Sequence, residues 1–446
     1  METENNNGAY SKRFAGIFVP PDLNKSNFVN LYLATFLVSC VMAVPAVLQP
    51  AYFKDVIGIP EDQAGSIISG LQNMSQIATL LLVGMVGILS DKIGRRVLVV
   101  LGFAFCCVFY IMFGYTKEIS LALGITSIGG QVFMAYCIRF LIGIGIVLSF
   151  PQLSTMIADY TTPRDRGKAF AIQGALFGFG SMLVFGVMVQ IARKTGLMSL
   201  FYMTAALAFL GILVTRFGTV DRTSKGADEP TFGFKDIYRE VSKSIGLKMG
   251  YVVTAVTRVD IAIVATFIIL WMVYKADSIG ITPVQATARG GIVMIVTSLV
   301  TLFAYPVLGV MTDKVGRVAV TMAGLLISGA GFLLIAATGN PFSPMIYLYA
   351  SLICIGFAAT SLGSETLATD LSPKNMLGSI RGGLNTMQPI GILLFLQLSG
   401  LLFDKVGYWA PFAMKGVVSL VCAVWVLMIK KRIVEPHKQS VNGQND

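Results

Sequence analysis

Twelve segments of this chain are apolar for long enough to cross a lipid bilayer. They lie near 28–52, 64–89, 97–115, 131–158, 169–191, 196–215, 250–274, 286–311, 318–337, 345–369, 382–402 and 409–429. A spanning helix needs about 20 mostly apolar residues. Inside lipid each backbone N–H and C=O must be satisfied, which for stretches of this kind means an α-helix. Composition agrees, with 55% hydrophobic and 13% charged residues, against about 25% charged in soluble domains. An all-α membrane protein follows, its helices numbered 1 to 12 in chain order.

The net charge of +11 is a topology signal before it is anything else. With the N-terminus in the cytoplasm, the inner tails and loops hold 24 of the 34 Lys and Arg residues, the outer loops and outer helix ends seven, and the interiors of the spans three. This positive-inside bias places both termini in the cytoplasm and gives no reason to expect a nucleic-acid partner. The tail over 1–27 has no apolar core before a small-residue cleavage site, so helix 1 is expected to serve as the insertion signal.

Little here supports catalysis. The only histidine, His437, is in the C-terminal tail, and the six cysteines lie in apolar spans without C-x-x-C spacing. They read as packing residues, with no metal site, disulfide or cofactor expected. Gly174 and Gly178 in helix 5 have small-xxx-small spacing, expected to bring helices close.

The chain repeats itself. "GILSDKIGRRV" from Gly87 ends helix 2, and "GVMTDKVGRVA" from Gly309 ends helix 8. Asp91 and Asp313, Gly94 and Gly316, and Arg95 and Arg317 are each 222 residues apart. A second pair, "ADYTTPRDRGKA" from Ala158 and "ATDLSPKNMLGS" from Ala368, follows the fourth helix of each half and centres on Pro163 and Pro373. The expected organisation is a tail over 1–27, a six-helix bundle over 28–215, a polar linker over 216–249 with a short amphipathic helix near "FKDIYREVSKSIG", a second bundle over 250–429, and a tail over 430–446.

Two parallel six-helix repeats match one transporter architecture, and the duplicated G-x-x-x-D-K-x-G-R loop resembles that of the major facilitator superfamily. "RFLIGIG" from Arg139 in helix 4 is similar to the family's R-x-x-x-G-x-G element. The second half departs from it, with Tyr349 opposite Arg139, and helix 5 lacks the Gly-Pro pair typical of drug/proton antiporters. The resemblance implies alternating access, with helices 1, 4, 7 and 10 lining a central cavity.

Short loops put Asp91 and Asp313 at the membrane boundary, Asp91 placed to accept N–H groups from a helix N-terminus. Arg95 is one turn on, within reach of Asp159, and Arg317 likewise of Asp370. With Gly87, Gly94, Arg96 and Gly316, these residues are expected to form a cytoplasmic latch between the two bundles.

The charges within spans are Arg139, Arg258, Asp260, Glu365 and Lys415. At a helix centre such a group costs roughly 2.5–3.5 kcal/mol, so each needs a partner or water. Arg258 and Asp260 are about 200° apart around helix 7, so one is expected to face the cavity and the other a neighbouring helix. Arg139 and Arg258 are expected to hold an anion, while Asp260 and Glu365 take and release a proton. Glu365 is also close enough to the Asp370 trio to belong to it instead. Lys415 is expected to snorkel to the interface.

The expected function is a proton-driven secondary transporter of a small organic solute, with a lean toward a carboxylate. It would sit in the cell membrane and work as a monomer in the lipid bilayer. The alternatives are a proton-driven multidrug exporter and, from another class, a non-transporting sensor or scaffold.

Overall fold

The computed structural model describes residues 13–162, 165–222, 234–373 and 376–433. Its twelve helices long and apolar enough to span are Lys25–Ile57, Glu61–Ile93, Arg95–Gly114, Ile128–Tyr160, Arg166–Thr195, Met198–Gly218, Ile245–Tyr274, Pro283–Val315, Arg317–Ala337, Met345–Leu371, Leu377–Lys405 and Ala410–Arg432. They form two sets of six. The start of helix 1 and the end of helix 12 share one face, called here the terminal face; the opposite one is the far face. His437, Pro163, the tail ends and the middle of the linker lie outside the described residues.

The duplicated loop glycine has a backbone cause. A single residue separates helices 2 and 3, Gly94 at φ +95°, and again helices 8 and 9, Gly316 at φ +109°. A Cβ is strained at such angles, so glycine allows the chain to leave one helix and enter the next at once.

The repeat extends to helix packing. A Cβ on Gly102 of helix 3 would lie 2.5 Å from the Gly145 carbonyl oxygen of helix 4, and one on Gly145 would lie 2.8 Å from that of Gly102. In the second half, Gly324 and Gly356 make the same backbone-to-backbone contact between helices 9 and 10. Gly143, in the same short motif, presses instead on Ser75 and Ala78 of helix 2. The motif therefore wedges helix 4 between helices 2 and 3, a close approach small residues permit. Gly174 and Gly178 do not play that part, since a Cβ on either meets open space. Gly180, two residues on, is the one pressed against Ser39 of helix 1. Nor are all the cysteines packed, because Cys137 is exposed.

Pro45 cannot donate to the Val41 carbonyl one turn back. The Tyr110 hydroxyl of helix 3 donates to it instead, at 2.7 Å. The chain before helix 1 is more ordered than its polar sequence implied. Arg13–Phe14 and Ile17–Phe18 form a two-stranded hairpin, and Phe14 packs on Phe28 and Tyr32. The Phe18 N–H donates to Asp165 at 2.9 Å and holds that carboxyl below the usual range. In the linker, Phe234–Lys243 is helical.

The halves meet near the far face. Helix 2 lies on helix 11, helix 1 on helix 7, and helix 5 on helix 8. Lys54 pairs with Asp277 at 2.7 Å and donates to the Val273 carbonyl at 3.0 Å. Asn73 bonds Gln397 and the Leu393 carbonyl, both at 3.2 Å. A π-helical turn over Val184–Met188 sits where helix 5 touches helix 8, and a Cβ on Gly291 would lie 2.8 Å from the Phe185 carbonyl oxygen.

The glycine contacts are testable in pairs. Gly102→Ala and Gly324→Ala should each lower the melting temperature of the purified protein, overpacking of this kind costing about 1–3 kcal/mol. Gly174→Ala, pointing into open space, should leave it unchanged or raise it.

Candidate functional site

Helix 7 is not one rod. It runs from Ile245 to Thr257 and again from Asp260 to Tyr274, the regular pattern lapsing at Arg258 and Val259. The charges of the sequence "TRVD" flank this lapse, and the structure sends them in different directions as the helical geometry requires.

Arg258 forms an ion pair with Glu365 of helix 10, and its guanidinium lies 5.8 Å from the centre of the Phe357 ring. The Arg258 side chain is 17% exposed and that of Glu365 46%, so the guanidinium is largely covered and the carboxylate is the accessible member of the pair. Arginine presents a planar fork that suits one carboxylate at a time, and here Glu365 fills it.

Asp260 points the other way, into the second half. It pairs with Lys415 of helix 12 at 2.6 Å, and both side chains are fully buried. Lys415 also donates to Ser419 at 2.9 Å and lies 5.3 Å from the Phe332 ring centre. Two expectations are corrected here. Lys415 does not snorkel, because a carboxylate within reach inside the bundle compensates its charge better than a long stretch to the interface. Asp260 faces Lys415 inside the bundle and no cavity in this conformation.

Arg139 also departs from expectation. It is 3% exposed and lies between helices 1, 3 and 4. There it lines a small cavity of about 10 Å³ with Pro45, Leu48, Gln49, Tyr110, Phe113 and Ile142. That volume admits about one water, so Arg139 and Arg258 do not share a chamber.

In this conformation the arginines of the expected latch form ion pairs within their own halves. Arg95 pairs with Asp159 and lies 3.6 Å from Asp91. Arg317 pairs with Asp370 and lies 3.7 Å from Asp313. Among the described residues these four carboxylates belong to the same half as their arginines, because helices 2 and 3 stack on helix 4, and 8 and 9 on 10. Each trio therefore ties a loop to the fourth helix of its own bundle.

Asp91 does not cap a helix either. Asp221, from the linker, accepts the Arg95 N–H at 2.9 Å and the Arg96 N–H at 3.2 Å, a carboxylate on a helix N-terminus. Gly94 makes room for it, since a Cβ there would lie 2.5 Å from the Asp221 carboxylate. Arg96 donates to the Thr219 carbonyl. Gly87 has open space around it. Nothing in the spacing marked Asp221, which lies 126 residues from Arg95.

The sealed pair makes a sharp stability prediction. Lys415→Met leaves a buried carboxylate alone and should cost about 3–5 kcal/mol, seen as a lower melting temperature. Adding Asp260→Leu should recover most of the loss, since an apolar pair of similar volume needs no compensation.

The model of the Major Facilitator Superfamily matches residues 31–284 and again 250–445. Magnetosome protein MamH of Paramagnetospirillum magneticum (strain ATCC 700264 / AMB-1) is 29% identical over 402 residues, 90% of this chain and 92% of that protein. Quinolone resistance protein NorA of Staphylococcus aureus (strain COL) is 23% identical over 430 residues, 95% of this chain and all of that protein. Among solved structures, the peptide transporter POT in complex with sulfate superposes with a TM-score of 0.71 at 17% identity, covering 95% of this chain and 96% of that one. That likeness is one of fold. The chain is a multi-pass membrane protein belonging to the Major Facilitator Superfamily.

Proposed function

We propose that this chain is a secondary active transporter that carries a small organic anion by alternating access, coupled to protons. The observation that carries the reading is the Arg258–Glu365 pair, set at the lapse in helix 7, with a largely buried guanidinium and an accessible carboxylate. The positive residues of the terminal face put that face in the cytoplasm. We read the cross-half bonds near the far face as the closed outer side of the carrier.

The chemistry follows from competition. While Glu365 is ionised it occupies Arg258. A proton on Glu365 frees the guanidinium, which takes the carboxylate of the cargo in a charge-assisted, two-point bond. Anion and proton then occupy the site together. Arg139 and the Asp260–Lys415 pair stay out of this cycle, the second anchoring the outer part of helix 7 to helix 12.

NorA and MamH set the rivals. NorA is a resistance protein by name, which favours an exporter of drugs, but a fixed guanidinium repels lipophilic cations. MamH, named as a magnetosome protein, favours service in that organelle, as a carrier or as a scaffold. The cell membrane remains the setting we propose.

Transport by the purified protein in proteoliposomes decides among these. A panel of radiolabelled mono- and dicarboxylates should include one that accumulates under an imposed pH gradient. Arg258→Gln should reduce that uptake about tenfold or more, the cost of a lost charge-assisted bond. Glu365→Gln should keep carboxylate exchange but lose the response to the gradient. Uptake of lipophilic cations in place of carboxylates, or full activity of Arg258→Gln, would overturn the anion reading.

A further inference from the structure

We infer that Asp404 is the lock of the far-face gate, and that a proton taken from the far side releases it. The inference rests on the alternating-access reading above and adds to it a gating residue that neither binds nor carries the cargo.

Asp404 lies in the last turn of helix 11 and reaches across to helix 2 of the other half. Its Oδ1 accepts the Gly65 N–H at 2.6 Å, and its Oδ2 accepts the Ser66 N–H at 2.8 Å. The Ser66 hydroxyl donates to the same Oδ2. One carboxylate thus gathers three bonds between the halves, each stronger than a neutral equivalent because the acceptor is charged.

The backbone around it is shaped to let it in. A Cβ on Gly65 would lie 2.8 Å from Asp404 Oδ1 and 2.5 Å from the Gly400 carbonyl oxygen. A Cβ on Gly400 would in turn lie 2.5 Å from the Gly65 carbonyl oxygen. Helices 2 and 11 therefore touch backbone to backbone just below the carboxylate. The amide contacts of Asn73 and Gln397 continue the seam and are indifferent to pH.

Several titratable groups face Asp404 from the elements packed around it. Asp62 of helix 2 sets a like charge beside it. Tyr136 of helix 4 donates to the Ile67 carbonyl, and Tyr274 of helix 7 to the Ile59 carbonyl. Glu61 and Asp55 lie beyond Tyr274. Lys54 is turned to Asp277.

A neutral carboxyl has one hydrogen of its own to place and less charge to offer. With two N–H groups and a hydroxyl already aimed at it, that hydrogen meets donors. The clasp loosens and helix 11 can leave helix 2. When the gate closes again the proton returns to the side it came from, so Asp404 gates without adding to the transported charge.

The test uses the full chain with its six cysteines changed to serine. Ser69→Cys reports from beneath the clasp, since Ser69 is fully buried against Gly400. Ser361→Cys on helix 10 reports from the terminal-face side. Labelling by an impermeant thiol reagent is normalised to the unfolded protein at the same pH. From the far side, Ser69→Cys should react slowly at neutral pH and about tenfold faster in mild acid, as charged hydrogen bonds are lost. Asp404→Asn should be fast at both pH values, and Ser66→Ala intermediate. If Asp404→Asn does not reach the membrane, Asp404→Glu and Ser66→Ala carry the comparison.

A pH response that survives in Asp404→Asn overturns the inference. So does unchanged labelling in that variant while Glu365→Gln shifts both reporters in opposite directions, a result that leaves alternating access standing. If no variant or pH moves either reporter, both readings fail.

Discussion

A charge inside a membrane must find an opposite charge or water, and the second half of this protein is arranged around that requirement. Two ion pairs meet at the lapse in helix 7. Asp260 and Lys415 are sealed together, while in the Arg258–Glu365 pair the carboxylate is accessible. One helix thus has its far-face part bound to helix 12 and its break bound to helix 10.

The same logic separates anchoring from gating at the two faces. On the terminal face the ion pairs stay within each half and stiffen it, so that each bundle can move as a body. Asp221 and Arg222 extend this by clipping the start of the linker onto helices 3 and 4. Toward the far face the contacts cross between halves, where one apolar cluster takes in Ile68, Leu71 and Phe185 of the first half and Phe267, Val293 and Phe403 of the second. Polar bonds from Lys54, Ser66 and Asn73 rim it.

Close helix contacts make this division possible. Where two glycines meet, as at Gly102 and Gly145 or at Gly324 and Gly356, backbones approach without side chains between them. These contacts are internal to each half and repeat with the sequence. The Gly65–Gly400 contact has the same form but joins the two halves, beneath the Asp404 clasp.

How much of this was legible in the chain depends on the range of the forces involved. Apolar length determined the twelve spans, and a repeat of 222 residues around Asp91 and Asp313 determined the two halves. The angular offset of Arg258 and Asp260 determined that they must part. These are local properties, set by backbone hydrogen bonding in lipid and by helical pitch. Which neighbour each charge found was decided by tertiary structure alone. Asp260 met Lys415 across 155 positions, Asp221 rather than Asp91 capped helix 3, and the trios closed within their own bundles. Partner choice depends on which helix faces which at a given depth, and packing between distant segments settles that, beyond the reach of any pattern read along a single chain.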